Sequence, residues 1–513
     1  MSLSSIVLNA SLLYNAFVAQ HLGIQNNSVL LDLRNTAVST QGIIITDPIA
    51  PNDQDIVDAY TIRRWIIQTN ADIPEGTTLQ LFAKTGSTYF TESDWTDWNP
   101  IDLNHTLPSP QGQYLKLKYI FTTTDPSRSP ILNDVTIQAE FESTHFEHPI
   151  QITEQHNETL ITSSYAFGYE QQDEPSIQFF VETHHLRDLI ADKKNDLERF
   201  IALNHYIAQL PNTRQNMWSE AYPWTLDQVL LQEGDQPAIK GHCMSYASVL
   251  ISALTGLGYP ARHWAIEGFR FMNHEIVEVW SNDLNKWIYL DPSLDQHYTD
   301  PQTGTPLSLL EMHNIFTNTF FEEGETLLMP MDQQRERVKE KGGKNAPIHC
   351  QDQGYHYGTL TTNYDWAWLH GYLAAGFLRL TTRNNFHSQP TPAFDFFGEG
   401  NDQDHGFPSW TDPKTPPRTD QVKIFSGRKR DFYWTLNQAA YKTTRTTETT
   451  LKIELSNTQP FFSHYLVTAN NISKKTNSNT YIFTIQKGEN TFSVTPIDKW
   501  EKWGVNSHFT AIF

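Results

Sequence analysis

The sequence predicts a multidomain α+β protein in which a mixed central core lies between an N-terminal and a C-terminal β-sandwich domain. Three observations carry this expectation. Both ends alternate apolar and polar residues with the two-residue period of strands, the middle changes to a helical period, and 513 residues exceed what one hydrophobic core usually organises. The divisions fall at 1–145, 146–397 and 421–513.

In the first region Leu79, Leu81 and Ala83 alternate in one run, and Leu115, Leu117, Tyr119 and Phe121 in another, with turn residues such as Asp125-Pro126-Ser127 beyond. Such runs suit a β-sandwich. After Asp192 the spacing of Leu197, Phe200, Ile201, Ile207 and Ala208 predicts a helix that Pro211 ends. A second helix is expected after Gly241, then strands over Glu275 to Trp280 and Lys286 to Leu290, then a helix from Ser308 to about Phe320. Phe397 to Asp420, rich in Gly, Pro and Asp, reads as a linker or long loop. Beyond it Leu451, Ile453 and Leu455 alternate, and Tyr481 to Ile485 is expected to face Thr491 to Val494 as a hairpin.

Composition bounds the function. With 38% hydrophobic, 12% aromatic and 19% charged residues, the chain resembles globular rather than disordered proteins. A net charge of −21 disfavours nucleic acid, because phosphate binding needs a basic surface that releases counterions. No stretch approaches the roughly 18 apolar residues of a membrane helix, so the expectation is a soluble chain, cytoplasmic or exported with its signal peptide removed. Two cysteines, Cys243 and Cys350, do not make a disulfide framework. Cys350 has no distinctive setting and reads as structural.

Cys243 does have one. In Lys240-Gly241-His242-Cys243-Met244-Ser245-Tyr246-Ala247 a glycine turn leads into the helical stripe Ala247, Leu250, Ile251 and Leu254, so the cysteine falls at a helix start. Unpaired amides and the positive end of the helix dipole there favour a thiolate. Farther on, Asn273 to Trp280 and Lys286 to Pro292 flank Ser281 to Asn285 as a hairpin; a turn centred on Asn282 and Asp283 sets His274 opposite Asp291. A carboxylate so placed can orient an imidazole, and the three side chains then supply a nucleophile, a base and an orienting acid.

The Gly-x-Cys helix, Leu257-Gly258-Tyr259-Pro260-Ala261-Arg262, the His-x-x-x-Glu strand and the Trp-x-x-x-Asp-Pro strand, in that order, resemble the transglutaminase-like superfamily over about Asp192 to Tyr298. The resemblance implies a papain-like α+β core with Cys243, His274 and Asp291 as catalytic triad. It also implies an oxyanion hole made by the Cys243 amide and an upstream side chain, for which Trp218 and Trp224 are candidates, although plain packing is the commoner role of either. Glu275-Ile276 depart from the small residue and Trp of many members, which bears on the substrate channel. Glu278 shares the face of His274 but lies too far along the strand to replace Asp291.

The implied activity is that of a cysteine protease, amidase or transglutaminase: a hydrolase or acyltransferase working through a thioester on peptide, protein or glycopeptide amides. No cofactor and no metal are expected. His274-Glu275-Ile276-Val277-Glu278 lacks the second histidine of a zinc helix and has a strand pattern. The rival reading is an inactive transglutaminase-like scaffold whose β-sandwich domains bind carbohydrate or protein, with Trp95 and Trp98 as an aromatic platform; core or loop packing is the plainer reading of both tryptophans. A glycosidase would need a carboxylate pair that the sequence does not place in one site. His205 reads as a boundary histidine.

Overall fold

The structure is a computed structural model that describes residues 2–32, 40–213, 225–233, 236–267, 273–300, 302–322, 349–352, 377–389, 408–415 and 425–513. It divides into two compact units, Met1–Ser164 with Arg428–Phe513, and Tyr165–Gly427. Residues 146–164 therefore lie with the terminal regions rather than with the central core. The reason is local: the strand Gln151–His156 pairs with Ser507–Ile512 near the end of the chain.

In the first unit the two alternating runs become the antiparallel strands Thr77–Gly86 and Tyr114–Thr123. Their odd-numbered residues Leu79, Leu81, Leu115, Leu117 and Phe121 enter one apolar core with Trp65, Ile67, Val135 and Ile137 of a second sheet. Each such side chain contributes about 1.5–3 kcal/mol on burial. A separate core gathers Tyr441, Leu451, Ile453, Phe492 and Phe509 of the C-terminal region.

The expected hairpin there does not form. Thr480–Thr484 pairs with Thr450–Asn457, whereas Glu489–Asp498 pairs with Phe462–Ala469 and Ser507–Ile512, so the chain crosses from one sheet to the other at Lys487-Gly488. Alternation identifies a strand and its buried face; it does not name the partner.

The second unit is built around a six-stranded sheet in the order Lys286–Leu290, Asn273–Ser281, Ala261–Glu267, Phe377–Leu380, Ser409–Trp410, Phe425–Ser426. The expected helices are present as Asp196–Ala208, Cys243–Gly256 and Leu309–Phe320, the last with Ser308 and Glu311 in a reciprocal capping box. Val277, Val279, Ile288 and Leu290 from the sheet share a core with Ala247, Leu250, Ile251 and Leu254 of the helix 243–256. Gly256 is required by packing, because a Cβ there would lie 2.6 Å from Ile177 and 2.7 Å from Val181.

Part of the region read as a linker is sheet instead. Ser409, Trp410, Thr411 and Thr415 are buried, and Ser409 pairs with Arg379. Gly- and Pro-rich sequence marks irregular backbone, which here is covered rather than free.

Candidate active site

Gly241 has φ +113°, a backbone region that L side chains rarely adopt, and this turn delivers the chain to the helix 243–256. Asn212 Nδ2 donates to Gly241 O at 2.9 Å and fixes the turn. Cys243 is the first residue of the helix, half-buried and a free thiol. Its N-cap, His242, is extended and makes no side-chain cap bond. At the other end Gly258 N donates to Thr255 O and Tyr259 N to Leu254 O, both at 2.8 Å, with Gly258 at φ +79°: a Schellman stop that turns the chain into the strand 261–267.

The hairpin register differs from the one read from the sequence. Val277 pairs with Leu290 and Trp280 with Trp287, because the turn takes four residues, 282–285, with Asn285 at φ +56°. Asp196 accounts for the change: its Oδ2 accepts from Asn282 N at 3.0 Å and from Asp283 N at 3.3 Å, and holds the turn one residue later. His274 and Asp291 are thus diagonal rather than directly opposite. A shift of two positions keeps both side chains on one face, within reach of each other.

They do meet. His274 Nε2 lies 2.5 Å from Asp291 Oδ2, with both residues buried. Asp291 Oδ1 accepts from Ser293 Oγ at 2.7 Å, Ser293 N at 3.1 Å and Leu294 N at 3.2 Å, and Tyr289 Oη donates to Oδ2 at 3.4 Å. Burial alone would push the His274 imidazole down. The charge and hydrogen bond of Asp291, joined by a hydrogen bond and charge from Cys243, outweigh burial and hold it well above its ordinary value. His274 and Asp291 are therefore a buried pair, and the Cys243 thiol adds to the field at the imidazole.

Trp218 and Trp224, the sequence candidates for an oxyanion donor, lie outside the described residues, as does the Cys350 side chain. Glu278 belongs to the fold: its Oε2 accepts from Arg262 Nη2 and Trp264 Nε1 at 2.6 Å, its Oε1 from Leu309 N at 2.7 Å, and the Arg262 guanidinium stacks 3.8 Å from the Trp287 ring. Glu275 faces His263, with Oε2 and Nε2 2.6 Å apart.

Sequence reasoning missed the supports of Asp291. Asn204 Nδ2 donates to Asp291 O at 3.4 Å and to Asp295 Oδ1 at 3.2 Å, and His205 Nδ1 lies 2.6 Å from Asp295 Oδ2. Nothing in the spacing of 204, 205 and 295 announces these contacts. In the first unit, Trp95 donates its indole N–H to Thr88 O and Thr91 O, and its ring lies 4.9 Å from Lys116 Nζ; Lys84 and Lys118 each stand 4.8 Å from the Trp98 ring. Trp95 anchors a loop, the plainer of its two readings.

Residues 184–292 match the family model described as the transglutaminase-like superfamily, a stretch that contains all the segments that carry the resemblance. The central core is transglutaminase-like. No curated protein matches the chain. Among solved structures, a provisionally named cysteine protease from Cytophaga hutchinsonii aligns over 46% of this chain and 73% of its own, at 13% identity and TM-score 0.18. A provisionally named protease from Parabacteroides distasonis aligns over 52% and 64%, at 10% identity and TM-score 0.17, so that this chain spans less than two thirds of it. Red sea bream transglutaminase aligns over 89% and 78%, at 8% identity and TM-score 0.21. TM-scores this low do not establish a shared fold, and the transglutaminase-like reading rests on the matched segment.

Proposed function

We propose that the chain is a transglutaminase-like cysteine hydrolase or acyltransferase acting on peptide, protein or glycopeptide amides, with Cys243 as nucleophile, His274 as general base and acid, and Asp291 as orienting acid. The observation that carries this reading is the buried His274–Asp291 contact of 2.5 Å on an imidazole that also bonds Cys243 at a helix start. Asp291 occupies Nε2, which leaves Nδ1 for the sulfur's proton.

In the proposed reaction the Cys243 thiolate attacks the amide carbonyl carbon, and the carbonyl oxygen becomes an oxyanion facing the first amides of the helix. His274 gives its proton to the leaving nitrogen as the C–N bond breaks, which leaves an acyl thioester and a free amine. The now neutral imidazole takes a proton from water, or from a second amine, as it attacks the thioester. Acid or new amide departs, and the proton stays on His274 beside the restored thiolate. Water is the favoured acceptor because it needs no second binding site. Trp218 or Trp224 remains our candidate for a second oxyanion donor. We also assign the paired sheets of the terminal regions to β-sandwiches; a carbohydrate bound there would have to use surface other than the ring faces of Trp95 and Trp98 that the lysines approach.

The test is timed iodoacetamide labelling of folded protein near pH 6, about where an ordinary thiol is almost wholly protonated, with peptide mapping of Cys243 and Cys350. Fast labelling of Cys243 that slows about tenfold or more in His274→Ala is expected, together with loss of amide turnover in Cys243→Ser. A Cys243 no faster than Cys350, unchanged by His274→Ala, would turn the reading to the inactive scaffold.

A further inference from the structure

We propose that the helix Asp196–Ala208 positions the candidate site, and that Asn204, His205 and Asp295 are positioning residues through which it holds Asp291; this rests on the reading of Cys243, His274 and Asp291 given above. The helix grips the strand 286–290 near both of its ends. At its start Asp196 caps the hairpin turn, and Asp196 N donates back to Asp283 Oδ2 at 2.7 Å. Eight residues later, about 12 Å along the axis, Asn204 reaches the turn at the other end of that strand.

That turn is closed by Asp291 N to Gln296 O at 2.8 Å and Gln296 N to Asp291 O at 3.0 Å. It holds two buried carboxylates, each with its own histidine: Asp291 with His274, and Asp295 with His205. Asp295 adopts φ +53°, an uncommon conformation that its bonds to the helix help to hold. The Asn204 amide faces two acceptors, the Asp291 carbonyl and the Asp295 carboxylate, so its Nδ2 must point at them, while its buried Oδ1 accepts no hydrogen bond among the described residues. A side chain present for packing alone would carry no such orphan; its two N–H donors are what the position uses. Gln209 Nε2, 2.6 Å from His205 Nε2, extends the chain of contacts along the same helix.

The consequence reaches the sulfur through Asp291. If the turn relaxes, the Asp291 carboxylate leaves the line of His274 Nε2, the imidazolium loses stabilisation, and Cys243 reacts more slowly with an electrophile. The titratable groups that the hydrogen bonds join in this region are Asp291 and Asp295 of the turn, His274 and Tyr289 of the two strands, His205 of the positioning helix and Cys243 of the nucleophile helix.

The experiment is the pH dependence of Cys243 alkylation by iodoacetamide in the full chain, with thermal melting followed in parallel. Asn204→Ala and His205→Ala should move the acid limb of the rate upward by about one pH unit, equivalent to about tenfold slower labelling on that limb. His205→Gln, which restores a donor to Asp295, should return most of the shift, an effect that a merely structural role would not give. His205, whose side chain is 38% exposed, decides the matter alone if Asn204→Ala does not fold. Folded variants that keep the wild-type acid limb would overturn the positioning role while leaving the site intact. A wild-type Cys243 that titrates like a free thiol, near pH ~8.5, would overturn the site reading itself and this inference with it.

Discussion

His297 and His274 of the central unit depart from their ordinary values in opposite directions, and the signs separate their effects on stability. Burial lowers His297 to about 4. The unfolded chain therefore takes up a proton that the folded chain refuses, and stability falls as pH drops from about 6.5 towards 4, by ~3 kcal/mol in all. His297→Gln should remove most of that acid-side loss, measured as the difference in urea unfolding free energy between neutral and mildly acid pH. His274 is raised, so the stabilisation it gains from Asp291 is fully present below about pH 6.5 and fades as pH rises through its folded value. The stability gap between wild type and His274→Ala should accordingly narrow in alkaline buffer. At Gly241 the cost is conformational: Gly241→Ala, forced to φ +113°, should lose about 1–3 kcal/mol and slow Cys243 labelling, because the turn aims the helix.

Among the elements, the strands 261–267 and 273–281 carry a buried ion pair whose removal is more damaging than its net contribution suggests. Arg262→Met would leave Glu278 charged and enclosed, and about 3–5 kcal/mol of destabilisation is expected in denaturant melts. The strands 77–86 and 114–123 hold another enclosed cluster, where Lys84 and Lys116, both buried, stand directly opposite and Glu92 pairs with both. Glu92 is 52% exposed but both lysines are buried, so Glu92→Gln leaves two enclosed like charges face to face and should cost about 3–5 kcal/mol. The hairpin 273–290 illustrates what a strand pattern leaves open. Its alternation named both strands, but its turn was set by the Asp196 carboxylate, which lies far away in sequence and approaches only through the fold.

For the whole molecule, charge and partition into units matter most. At −21 the chain should pass through immobilised DNA or heparin at about 0.15 M salt without retention, in a chromatography run against a basic control. Among the described residues no helix is long and apolar enough to cross a membrane. The first unit draws residues from both ends of the chain: Ile56–Asp58 pairs in parallel with Ala439–Thr447, and Gln151–His156 pairs with the last strand. Such long-range pairings leave no mark in local periodicity, which is why a boundary at 145 looked natural and the chain instead divides at 164 and 427.

The sequence by itself determined the helix that begins at Cys243, the strand that carries His274 and the strand that leads to Asp291, and their transglutaminase-like order, because glycine turns, helical stripes and two-residue alternation are local consequences of backbone geometry. Tertiary structure decided the diagonal meeting of His274 with Asp291, the sheet to which each C-terminal strand belongs, and the hold of Asn204 and His205 on the 291–296 turn. These depend on contacts between residues distant in sequence, whose hydrogen bonds are written in no local pattern.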